Sequence, residues 1–151
     1  MSSLGRRARA LVLAAHLFFA AVWIGGILAL GLVSVQALAG APGYGLSWWI
    51  DSVMIIPACL GSLATGLVFS LKTSWGFLRH RWVALKWALT VSMIVLGATV
   101  LGPWVTASQT DPALIPSILA LAAAQLVLLL FMLVLSTLKP SLRVSPERER
   151  R

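Results

Sequence analysis

Four long apolar stretches separated by short polar breaks set the pattern of this chain. The first covers about residues 10–39 without a formal charge, the second 51–71, the third 82–106 and the fourth 112–138. Only Lys86 interrupts the third, and the fourth is free of charge. A bilayer core of about 30 Å is crossed by about 20 apolar residues in helical form. In lipid the backbone must satisfy its own polar groups, so stretches of this kind are helices. The pattern predicts an all-α, membrane-embedded four-helix bundle over residues 1–140, followed by a disordered cytoplasmic tail over 141–151.

Charge placement orients the bundle. Of the 12 Lys and Arg residues, all but Lys86 lie before the first span, between the second and third, or after the fourth. The connections near 40–50 and 107–111 contain none, and their flanking charges are the acidic Asp51 and Asp111. The positive-inside rule then puts both termini in the cytoplasm, as in a multi-pass protein of a bacterial inner membrane. Tryptophans agree, with Trp48, Trp49 and Trp104 expected at the outer interface and Trp75 and Trp82 at the inner one. A cleaved secretory leader is disfavoured, because its apolar region is about 7–15 residues and the first stretch is about twice that.

Composition narrows the function. Across 151 residues, 60% are hydrophobic and 11% charged, with a formal net charge of +8. The basic residues are divided among short clusters instead of forming one folded face, which argues against nucleic acid as a partner. The lipid bilayer is the expected partner, with a second membrane protein or another copy of the chain as a further possibility. One cysteine, Cys59, permits neither an intrachain disulfide nor a thiolate cluster.

Local features predict how the helices meet. Pro57 should bend or unwind the second helix over 53–57, since proline lacks a donor and clashes one turn back. Asp111-Pro112 reads as a helix cap followed by proline at the first position. Small residues at spacing four form packing seams. They are Ala21, Gly25 and Ala29 in the first span, and Ala58, Ser62, Gly66 and Ser70 in the second. Ala84, Ala88 and Ser92 follow in the third, and Ala120 and Ala124 in the fourth. Gln125, near mid-membrane, is expected to hydrogen-bond across helices.

Two ionisable residues lie inside spans, His16 and Lys86, and such residues are functional candidates. At a rise of 1.5 Å per residue they sit roughly 9 Å and 6 Å from the cytoplasmic ends of their helices. Met132 and Thr65 have similar depth. A neutral imidazole there suits a haem or metal ligand. Trp23 follows His16 by two turns on the same face, and Gly25 and Gly26 allow close approach of a backbone or flat cofactor. The plainer alternatives are a Lys86 that reaches the headgroups and a His16 that bonds a neighbouring helix.

The segment His16-Leu17-Phe18-Phe19-Ala20-Ala21-Val22-Trp23-Ile24-Gly25-Gly26 resembles the His-x6-Trp-x-Gly-Gly pattern of the CopD-like superfamily of small membrane proteins. Arg81-Trp82-Val83-Ala84-Leu85-Lys86-Trp87 resembles the group's Trp-x3-Lys stretch. The group includes the membrane domain of copper-resistance D proteins and the HemJ-type protoporphyrinogen oxidases. In the HemJ-type relatives the histidine and lysine are associated with b-type haem. The resemblance thus implies a cofactor site at His16 and Lys86, with Trp23, Gly25 and Gly26 beside it and His16 as the metal ligand. Met132 is a depth-matched alternative second ligand. The HemJ pattern continues with Pro-Arg-Leu-Phe-x-x-His, where this chain reads Leu32-Val33-Ser34-Val35-Gln36. Its later histidine also has no counterpart, because His80 precedes the third span. Protoporphyrinogen oxidation is therefore not carried over. The expectation is a haem-binding redox protein, with transport of copper or another small solute and a non-catalytic accessory role as alternatives. Whether the protein is an enzyme stays open.

Overall fold

A computed structural model describes residues 5–42, 44–72 and 81–138; the tail and the connection bearing Trp75 lie outside this range. Among the described residues the fold is all-α, with four helices long and apolar enough to cross a membrane. They are α1 (Arg6–Leu38), α2 (Leu46–Lys72), α3 (Val83–Ala107) and α4 (Pro112–Thr137). Helix α1 packs against both α2 and α4, and α3 closes the opposite side between those two. The loop end of the bundle carries residues 39–45 and 108–111. The terminal end carries the start of α1 and the finish of α4.

Helix α2 begins at Leu46, so Asp51 is not a charge flanking the span, as its place before the apolar run suggested. It is the sixth residue of the helix and is buried. Residues 46–50 are themselves apolar or small, and they extend the helix past the charge. At the start of α4 the Asp111 carboxylate accepts the Ala113 N–H at 3.1 Å, which makes the expected cap.

The proline effect on α2 takes a particular form. Instead of a broken segment there is a π-helical stretch, Ile50–Ile55, in a helix that continues as α through Lys72. The wider turn gives room to a ring that would otherwise strike the carbonyl one turn back. The same device recurs in α3, where the π-helical stretch Gly97–Leu101 again ends two residues before a proline, Pro103. Pro116 disturbs nothing, because it is the second residue of the α-helix Ile115–Leu138, where its N–H would be unpaired anyway.

Most of the expected small-residue seams face outward. Ala21, Gly25, Ala88, Ser92, Ala120 and Ala124 are exposed, while Ala58 and Ser62 of α2 are buried. The interior of α1 is instead Trp23, Gly26, Ile27, Leu30 and Ser34. Larger apolar side chains took the core because they fill the space between four helices with more van der Waals contact than alanines supply. Close approach of α1 and α2 depends on two other glycines. A Cβ on Gly26 would meet Ile55 Cγ1 at 2.8 Å, and one on Gly61 would meet the Phe19 ring at 2.5 Å.

Replacing Gly61 by alanine should therefore destabilise the bundle by about 1–3 kcal/mol, a cost typical of overpacking. Gly25→Ala, with nothing within 4 Å of the added Cβ, should leave stability unchanged or raise it. Thermal unfolding of the two variants in one detergent checks the contrast, and Phe19→Leu should recover part of the Gly61→Ala loss.

Candidate functional site

Several polar side chains of the terminal half meet a partner on another helix. Glycine-mediated approach of α1 and α2 brings His16 against Thr65, with Nδ1 2.9 Å from Oγ1. The Thr65 hydroxyl also reaches the Gly61 carbonyl at 2.7 Å, one turn back on its own helix. The Ser62 carbonyl, 3.1 Å from the same hydroxyl, interacts with the imidazole as well. A hydroxyl has one hydrogen. With that hydrogen on the Gly61 carbonyl, Thr65 accepts from His16, so Nδ1 carries the imidazole proton and Nε2 keeps its lone pair. Among the described residues no side chain hydrogen-bonds Nε2. The ring is held edge-on by Phe69 at a centroid distance of 6.3 Å, and its Cε1 faces Gly66, where a Cβ would stand 3.6 Å away.

On the far side of the bundle, α3 is tied to both its neighbours. Lys86 donates from Nζ to the Ser136 hydroxyl of α4, which passes its own hydrogen to the Met132 carbonyl at 2.7 Å. Trp87 donates from Nε1 to Ser70 of α2 at 3.0 Å. Thr90 reaches the Met132 sulfur at 3.6 Å. His16 and Lys86, though of similar depth, stand on diagonally opposed helices. They still belong to one layer, since the Lys86 charge acts on the His16 ring. Half-burial and the Ser136 contact keep the ammonium within the bundle.

The remaining candidate residues fall into two groups. Met132 lies in the same layer and is buried, with its sulfur already accepting from Thr90. Trp23 and Gly26 belong to the packed interior two turns farther along α1, where Ile55 fills the space beside Gly26. Gly25 points out of the bundle with nothing near it. Thus Lys86 and Met132 meet through Ser136 and His16 bonds Thr65 on the other side of the bundle, whereas the Trp-x-Gly-Gly part of the motif serves helix packing and the outer surface.

Several partners were not legible beforehand. Thr65 stood out by depth alone and Ser70 only as a small residue of a packing seam, while Thr90 and Ser136 carried no signal beyond being hydroxyls in apolar helices. Gln125 departs from expectation in the opposite sense. It is 2% exposed and among the described residues its Nε2 has no hydrogen-bond partner. The interior side chains nearest its depth on α1 and α4 include Trp23, Ile27, Ala122 and Leu129, and none offers a side-chain acceptor.

A multidentate metal centre is not assembled: among the described residues no three His, Cys, Asp or Glu side chains cluster. The layer offers one imidazole nitrogen, one ammonium and one thioether. The imidazole satisfies what a haem iron asks of a protein, a single oriented axial nitrogen whose other nitrogen is hydrogen-bonded. Lys86 is suited to an anionic substituent of such a group, because its ammonium donates and carries no lone pair. Compared with protein-family models, with curated proteins and with solved structures, the chain matches none.

Nitrogen NMR of histidine-labelled protein at neutral pH should find His16 protonated at Nδ1 and bare at Nε2. Thr65→Val, which keeps the shape and removes the acceptor, should mix the two tautomers. A wild-type ring protonated at Nε2 would contradict the hydrogen-bond assignment.

Proposed function

We propose that this chain is a four-span integral membrane protein with both termini in the cytoplasm that holds a b-type haem through His16 in a redox role. The length and apolarity of α1 to α4 support the membrane setting. The distribution of basic residues supports the orientation: Arg6, Arg7 and Arg9 open α1, Lys72 closes α2, and the other bases except Lys86 follow in sequence between α2 and α3 or after α4. The observation that carries the cofactor reading is the Thr65 contact on His16 Nδ1, which leaves Nε2 as an oriented ligand.

When bound, the haem supplies a one-electron couple. His16 would hold the iron from α1, with Thr65 fixing the ring's orientation. Lys86, with Ser136 steadying its ammonium, would pair with a propionate. Met132 would be a second ligand only by giving up its contact with Thr90. The apolar faces of the neighbouring helices keep water from the site. Copper is less well served, since Cu(I) favours clustered Met, Cys and His and His16 has only Met132 in its layer.

A second reading has its own support. Ala21, Gly25, Ala88, Ser92, Ala120 and Ala124 present small side chains outward, and such surfaces suit contact with another membrane helix. The chain then serves as an accessory subunit, and the two roles are compatible.

The absorption spectrum of protein purified from haem-supplemented cells tests the cofactor. A Soret band with reduced α and β bands is expected. His16→Ala should abolish it, and Lys86→Met should shift the midpoint potential or weaken retention while leaving the band positions in place. A colourless wild-type protein that is folded and haem-supplied overturns the reading. For topology, reporters fused after Arg151 and within the 39–45 loop should report opposite compartments.

A further inference from the structure

The haem reading makes no use of Asp51, the only Asp or Glu within the four described spans. Its side chain is 6% exposed, and among the described residues no hydrogen bond or ion pair reaches the carboxylate. It stands on the π-helical stretch of α2, and its Oδ2 borders α3 at Gly102, where a Cβ would stand 3.4 Å from it. Such a group is expensive to bury unless it does something.

A polar network lies on its loop side. Ser47, one turn before Asp51 on α2, is fully buried. Its hydroxyl donates to the Tyr44 carbonyl at 2.6 Å and accepts the Gln109 amide at 3.0 Å. The Tyr44 phenol and the Ser108 hydroxyl lie 3.2 Å apart. Tyr44, Ser108 and Gln109 line an open cleft of about 340 Å³ between the two loops. Ser47 thus joins the polar lining of the cleft to the turn of α2 that precedes Asp51.

We propose that Asp51 is a proton-binding site served from the loop end through Tyr44, Ser47, Ser108 and Gln109. The surroundings favour a proton over a metal cation. A hard cation needs about six oxygen ligands, and among the described residues no three His, Cys, Asp or Glu side chains cluster. The buried side chains of this region are Leu30, Ile50, Ile55, Leu101 and Val105. A proton needs one oxygen. No competing base is near: α1 over 26–38, α3 over 97–107 and α4 over 112–125 contain no ionisable side chain. On α2 the Cys59 thiol interacts electrostatically with Asp51, and at the loop end Tyr44 lies in the cleft and Asp111 is exposed.

Sealed vesicles with the full chain and its 39–45 loop facing outward provide the test. The probe is dicyclohexylcarbodiimide, a lipid-soluble reagent that a protonated carboxyl adds across at one C=N bond. The proton goes to nitrogen, and O-to-N acyl migration leaves a stable N-acylurea. Peptide mass spectrometry should find this adduct on Asp51 and not in Asp51→Asn. Its rate should fall as the outer pH rises, respond little to the inner pH, and be unchanged when sodium replaces choline. Ser47→Ala keeps the carboxyl but removes the hydroxyl of the route, and should slow labelling several-fold. Absence of the adduct, a rate set by the inner pH, protection by sodium, or an unchanged rate in Ser47→Ala would each overturn the proposal.

Discussion

The close approach of α1 and α2 governs the rest of the structure. Gly26 admits Ile55 and Gly61 admits the Phe19 ring, at separations that a Cβ on either glycine would close to under 3 Å. Only at that spacing does Thr65 reach His16, and only then does the imidazole have one nitrogen committed and the other open. Packing and chemistry therefore share a cause. The residues that let the helices touch lie one turn from the residues that the touch brings together: Gly61 is also the carbonyl partner of Thr65. A change that spread α1 from α2 would lose both the Phe19 contact and the histidine's orientation.

Polar groups are distributed unevenly along the bundle. The terminal half pairs each of its prominent polar side chains across helices: His16 with Thr65, Lys86 with Ser136, Trp87 with Ser70. The loop end is knitted by Tyr44, Ser47, Ser108 and Gln109. Between them the buried polar side chains include Asp51 and Gln125, and among the described residues the Gln125 amide nitrogen lacks a partner. An unpaired buried amide costs about 1–3 kcal/mol, so the middle of the bundle carries an unmet demand that neither polar end relieves.

The sequence was most readable where one physical rule dominates. Span number comes from apolar length, and the Asp111 cap from a short-range preference, so both could be anticipated. Rotational orientation could not. Ala21 and Gly25 repeat at the same spacing as Ala58 and Ser62, yet the first pair faces out and the second in. Spacing fixes a stripe on a helix but not which neighbour it meets, and a lipid-facing stripe is as apolar as a core one. The same degeneracy hid the role of Asp51. Its position before the hydrophobic run resembles an interfacial flank, and only the five helical residues preceding it, 46–50, carry it inside. For His16 and Lys86, depth was legible from counting residues, whereas the diagonal arrangement of α1 and α3 depends on which helices neighbour one another.

Proline placement separates the two polar ends. In both α2 and α3 a π-helical stretch ends two residues before a proline, at Ile55 before Pro57 and at Leu101 before Pro103. Each wide turn inserts an extra residue and rotates the helix before it relative to the helix after it. On α2 the π-helical stretch carries Asp51, whose carboxylate borders α3 at Gly102, and precedes the α-helical segment that carries Ser62 and the histidine's partner Thr65. On α3 it puts Gly102, with no side chain, opposite that carboxylate. Two prolines that a regular helix would exclude thus allow each helix to present one register to the terminal half and another to the loop half. The bundle can then hold a histidine layer and an acidic residue on the same two helices without either dictating the geometry of the other.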